Sequence, residues 1–136
     1  MKKVVLALMF ASIGLFADFK DVDANTLIAM QKKGVPVIDI RRPDEWKSRG
    51  IIPNAHPITF FDARGNYNLN KWLKGLSKLI KSKKSPFIIY CAHANRTKAV
   101  GKSLTKMGFK NVYELKGGIE YGWIDKGKKT VKVKFK

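Results

Sequence analysis

Three short apolar runs constrain this chain most. They are Pro36-Val37-Ile38-Asp39-Ile40, Phe87-Ile88-Ile89-Tyr90 and Val112-Tyr113-Glu114-Leu115. Runs this short are of strand length, and the absence of a polar-apolar alternation predicts strands buried on both faces. Helix-patterned segments stand between them. Asp23 caps a helix carrying Ala24, Leu27, Ile28 and Gln31, with Lys32-Lys33 in its last turn and Gly34 as its stop. Pro43 at a first helical position, followed by Asp44, Glu45 and Trp46, opens a short helix that Gly50 ends. Asn70 is the expected cap of a third helix. Trp72, Leu73, Leu76, Leu79 and Ile80 line one face of it, and Lys71, Lys74, Lys78 and Lys81 line the other. Val100, Leu104 and Met107 repeat at i, i+4, i+7 before Gly108. Residues 51–57 read as an extended connection, residues 62–68 as a loop, and Gly117-Gly118 as a turn. Val131, Val133 and Phe135 alternate with lysines, as in an edge strand or a solvated tail. Strands alternating with helices predict an α/β fold, a small parallel sheet flanked by helices on both faces.

The first residues stand apart from this pattern. Met1-Lys2-Lys3 is a basic start, Val4 to Phe16 is an uncharged run of apolar and small residues, and Ala17 precedes the polar Asp18. This predicts a signal peptide over residues 1–17 and a single domain over residues 18–136. Spanning a bilayer takes about 20 apolar residues, so no stable membrane insertion is expected. No cysteine lies near the boundary to carry a lipid. The expected destination is the periplasm, with full secretion as the other outcome of export.

Composition narrows the chemistry. The chain has 136 residues, of which 45% are hydrophobic, and this suffices for a real core and excludes a disordered chain. Its single cysteine excludes an intramolecular disulfide and a cysteine-rich metal site. Lys and Arg total 28 against 10 acids, a formal charge of +18. Such a charge steers small anions and suits an anionic surface or an acidic partner. The plainer reading is a set of solvated lysine faces. The lysines are not interleaved with stacking aromatics, so nucleic acid is not an expected partner.

The chemistry concentrates at Cys91. In parallel sheets the site lies beyond the carboxyl ends of the strands, and Cys91 directly follows the run Phe87–Tyr90. The segment Cys91-Ala92-His93-Ala94-Asn95-Arg96-Thr97 then turns into a helix expected to begin near Arg96. The amides of a tight strand-to-helix turn point inward, and the helix start adds positive potential. A thiol held there favours its thiolate, the nucleophilic form. Arg96 adds a permanent charge and a planar fork of donors. The competing reading makes Cys91 a small hydrophobe that closes a strand.

These residues resemble those of the single-domain rhodaneses, sulfurtransferases of the thiosulfate type. The resemblance runs from Asp23 to about Lys129. It is carried by Val37-Ile38-Asp39-Ile40-Arg41, Pro43-Asp44-Glu45-Trp46, Gly50-Ile51-Ile52-Pro53-Asn54-Ala55, Cys91 with Arg96, Gly117-Gly118 and Trp123, in that order. Four residues, Ala92 to Asn95, separate Cys91 from Arg96. Cysteine phosphatases of related fold carry a loop one residue longer, so the count favours sulfur over phosphoryl transfer. The resemblance implies a persulfide on Cys91, with thiosulfate or another sulfane donor on one side and cyanide or a thiol acceptor on the other. It implies no metal and no organic cofactor. Residues 92–96 would cradle the terminal sulfur, Arg96 would hold the loop and attract the anion, and Thr97 would offer its hydroxyl. His93 is a substrate-contact candidate. Asp39 and Arg41 are candidates for framing the site from the neighbouring strand. A second reading of the same residues is a relay module that passes persulfide sulfur to a protein partner. The chain departs from the family pattern at Ala94, where glycine is usual, at Ile51, where histidine often stands, and at Trp123, one residue late after the glycine pair.

Overall fold

The computed structural model describes residues 19–134. The expected signal peptide and Phe135 lie outside the described residues. Five strands form one all-parallel sheet: β1 (Phe19–Val22), β2 (Val37–Asp39), β3 (His56–Pro57), β4 (Phe87–Tyr90) and β5 (Val112–Leu115). Their spatial order is β1-β5-β4-β2-β3. The helices are α1 (Ala24–Lys32), α2 (Pro43–Arg49), α3 (Leu69–Ser77), α4 (Asn95–Lys106) and α5 (Gly118–Gly122), followed by a 3-10 turn over Ile124–Lys126.

Successive side chains of a strand point to opposite faces, so the sheet has two cores. Ile88 and Tyr90 of β4 join Leu27 of α1, Trp46 of α2, Ile119 of α5 and Trp123 on one face. Phe87, Ile89 and Cys91 join Trp72 and Leu76 of α3 and Val100 and Leu104 of α4 on the other. β4 lies between β2 and β5, and its residues are buried throughout. That is why its sequence reads as an unbroken apolar run.

Several boundaries differ from the sequence expectation. Asn68, not Asn70, caps α3. Asn68 has extended backbone, and its side-chain oxygen accepts from the Lys71 amide at 3.0 Å, whereas Asn70 lies inside the first turn. α4 starts at Asn95, one residue earlier than expected. β1 reads as polar because only Val22 is buried on that edge strand. β3 lies within the predicted extended connection and gains its strand character from pairing with β2. The glycine pair does turn the chain, but Gly118 also begins α5. In the basic tail, Val131 makes a single antiparallel bridge to Ile51, and no strand follows over residues 132–134.

Candidate active site

Cys91 is the first residue after the central strand, and it is 1% exposed. Ala92, His93 and Ala94 connect it to α4. Ala94 closes the turn in the left-handed region at φ 67° and precedes the first helical residue without capping it by a side chain. Two carbonyls at the start of this segment receive hydrogen bonds from α5. Cys91 O accepts from the Ile119 amide at 2.9 Å, and Ala92 O accepts from the Glu120 amide at 3.1 Å. Both donors lie in the first turn of α5, where orphan amides need partners. Gly118 permits this docking, because a Cβ there would lie 2.3 Å from Ala92 O. Among the described residues, no backbone or side-chain acceptor takes the amides of residues 92–96. The loop therefore presents a row of unused donors beside a buried thiol, a cradle for a small anionic group.

A chain of polar groups leads away from the thiol. Cys91 Sγ lies 3.7 Å from Thr97 Oγ1. Thr97 Oγ1 donates to Glu114 Oε1 at 3.2 Å. Lys98 Nζ donates to both Glu114 oxygens, at 3.1 and 3.3 Å. Glu114 lies in β5, and burial pushes its carboxyl above the ordinary range against the opposing pull of Lys98.

The expected site residues divide into distinct roles of position. Arg96 directs both terminal nitrogens to Glu45, at 2.7 and 2.8 Å, so its fork is occupied by a carboxylate and staples the loop to α2. This corrects the expectation that its donors are offered to an incoming anion. Burial pushes Glu45 up, but the Arg96 hydrogen bonds and the Arg42 amide outweigh it and hold the carboxyl at about 2. His93 is exposed, and its ring stands 4.8 Å from that of Tyr121, itself 58% exposed. Asn95 is exposed at the start of α4. Asp39 and Arg41 are both fully buried and bonded to each other, with Arg41 Nη2 2.8 Å from Asp39 Oδ2 and 2.7 Å from the Gly50 carbonyl. The Arg41 guanidinium lies 5.8 Å from the ring centre of Tyr90, whose hydroxyl accepts from the Ile52 amide at 3.0 Å. This network fixes the end of β2 to the end of α2, and none of its hydrogen bonds reaches Cys91. Sequence reasoning missed Glu45, Glu114 and Tyr121 as neighbours of the site. No local signal marks them, because each meets its partner across the fold.

Among the described residues, no group of three or more His, Cys, Asp or Glu is placed to hold a metal ion, and no helix is long and apolar enough to cross a membrane. Residues 23–125 match the rhodanese-like domain family. The chain is 24% identical over 104 residues to the thiosulfate sulfurtransferase GlpE of Pseudomonas fluorescens, covering 76% of this chain and 84% of that protein. It is 34% identical over 87 residues to the tRNA uridine(34) hydroxylase of Pelagibacter ubique, but spans only 26% of that protein. Its fold superposes on the polysulfide-sulfur transferase homodimer of Wolinella succinogenes with a TM-score of 0.61 at 22% identity, covering 97% of this chain and 92% of the other.

Proposed function

Because the chain belongs to the rhodanese-like family of sulfurtransferases, we propose that it moves a sulfane sulfur through a persulfide on Cys91. The observation that carries this reading is the buried Cys91 thiol at the end of the central strand, followed by a loop whose amides, over residues 92–96, donate to no acceptor among the described residues. In the first half-reaction the Cys91 thiolate attacks the outer sulfur of thiosulfate. The S–S bond of the donor breaks, and sulfite leaves with the electron pair. In the second, cyanide or an acceptor thiolate attacks the outer sulfur of the persulfide, and the Cys91 thiolate leaves. The loop amides stabilise the charge on the terminal sulfur. Thr97 holds its hydroxyl oxygen 3.7 Å from Sγ, and Arg96 keeps the loop in register through Glu45. Asp39 and Arg41 act only by holding the strand and helix ends that frame the site. We also propose that the domain works in the periplasm after removal of residues 1–17.

The exposed ring pair His93–Tyr121 beside the loop favours a second reading. In it, a protein partner docks on these rings and exchanges persulfide sulfur with Cys91, and thiosulfate turnover is slow.

Intact mass of the reduced mature protein after incubation with thiosulfate tests the first reading, beside Cys91→Ser. One added sulfur atom on the wild type alone is the expected result. No addition, with the thiol proven free by alkylation, overturns thiosulfate as donor. Loading by a protein persulfide in that case supports the second reading.

A further inference from the structure

Glu114 is a buried acid without an assigned part in the transfer chemistry. Its side chain is 1% exposed, and it sits in β5 opposite Ile89 of β4 on one side and Asp21 of β1 on the other. A carboxylate so buried is costly unless it is paired. Lys98 pairs with it from the solvent side, where the lysine is half exposed. The remaining bond on its Oε1 comes from the Thr97 hydroxyl. That bond fixes how Thr97 meets the thiol. With its proton directed to Glu114, the Thr97 oxygen turns a lone pair to Cys91 Sγ, and the thiol is the donor of the 3.7 Å contact. Thiol, hydroxyl and carboxylate then form one directed chain, Cys91 to Thr97 to Glu114. The charges facing it at the Glu114 end are Lys98 and Asp21. At the Cys91 end stands Arg96, already matched by Glu45.

We propose that Glu114 is a proton-holding group for Cys91, reached through the Thr97 hydroxyl, and that it stores the thiol proton while Cys91 carries sulfur. The inference rests on the sulfur-transfer reading above. The step balances without any co-reactant. The S–H bond of Cys91 breaks and its proton bonds to Thr97 Oγ1. The original Thr97 proton passes to Glu114 Oε1. Sulfur keeps the electron pair as thiolate, the carboxylate becomes a neutral acid, and the net charge of the pair is unchanged. Thr97 now donates to the sulfur and accepts from Glu114. When an acceptor removes the outer sulfur, Cys91 leaves as thiolate, and the proton returns along the same path. Glu114 never touches substrate. It acts by setting the direction of the Thr97 hydroxyl and by holding the proton. Burial of the carboxyl supports this part, since it favours the neutral acid.

The test is the rate of Cys91 alkylation by neutral iodoacetamide as a function of pH, measured on the wild type, Glu114→Gln, Thr97→Val and Thr97→Ser. Two groups that share a proton titrate as a pair, so the wild type is expected to show two inflections. Glu114→Gln and Thr97→Val are expected to show one, with the rate falling about tenfold per pH unit on the acid side as for a simple thiol. Thr97→Ser keeps the hydroxyl and restores the second inflection. A single inflection in the wild type, or two inflections retained in Glu114→Gln, overturns the proposal. If Glu114→Gln does not fold, the contrast of Thr97→Val with Thr97→Ser decides, and identical profiles overturn it. Alkylation needs no sulfur donor, so the two readings fail separately. Sulfur loading with a single-step profile removes the proton store alone. An absence of loading from any donor removes the transfer reading itself.

Discussion

Ala94 holds the left-handed turn of the loop after Cys91 at φ 67° with a methyl group that this region disfavours. A left-handed L-residue costs roughly 1–2 kcal/mol, and glycine in its place loses about 0.4–1 kcal/mol through the freer unfolded chain. Ala94→Gly is therefore expected to stabilise the protein by about 0.5–1 kcal/mol, read from the midpoint of urea denaturation at unchanged slope. A lower midpoint would mean that the methyl packs well enough to offset its strain, since Ala94 is buried. This position was legible in the sequence, because the family pattern puts glycine there. Thr97 was legible as well, six residues after Cys91 and one after Arg96. Glu114 was not. In sequence it is one polar residue within an apolar strand, and nothing local says that its carboxyl ends beside a hydroxyl from another element.

Between elements, the Glu45–Arg96 pair ties the first turn of α2 to the first turn of α4, across 51 residues of sequence. Both side chains are mostly covered, at 19% and 25% exposed, so the pair is screened less than a surface bridge. The Glu45 carboxyl lies at about 2 in the fold against an ordinary 4.5. A depressed carboxyl contributes stability that is complete above its unfolded value and is lost as pH falls through its folded value. The contribution is about 3 kcal/mol at neutral pH by this linkage. It is expected to disappear between about pH 4.5 and pH 2. Glu45→Gln is expected to lower stability at pH 7 by that order and to flatten the acid limb, measured by thermal unfolding across this range. An acid limb unchanged in the variant would show that other carboxylates govern it. Glu114 works in the opposite sense, since its raised carboxyl gains from protonation as pH falls, and it softens the loss. At this scale the helices with strong periodicity were readable, whereas β1, β3 and α5 were not. β1 and β3 lie at the sheet edges, and their short segments owe their form to pairing. α5 owes its form to the carbonyls of Cys91 and Ala92 that receive its first amides.

Over the whole molecule the excess of positive charge has a kinetic consequence. A cationic surface draws small anions, and the attraction fades as the screening length shrinks from about 30 Å at 0.01 M salt to about 8 Å at 0.15 M. Sulfur loading of Cys91 from thiosulfate is expected to slow several-fold over that range, while alkylation by neutral iodoacetamide stays constant. Equal salt dependence of the two rates would assign the effect to the loop rather than to the field. The sequence by itself determined the α/β class, the placement of Cys91 directly after a buried strand and the length of the loop that follows it. These follow from periodicity and turn chemistry, which act over a few neighbouring residues. Only the tertiary structure decided the strand order β1-β5-β4-β2-β3, the engagement of Arg96 by Glu45, and the chain from Cys91 through Thr97 to Glu114. The physical reason is the same in each case. Such pairings join residues far apart in the chain, and their energies depend on burial and on distances that exist only once the sheet has assembled.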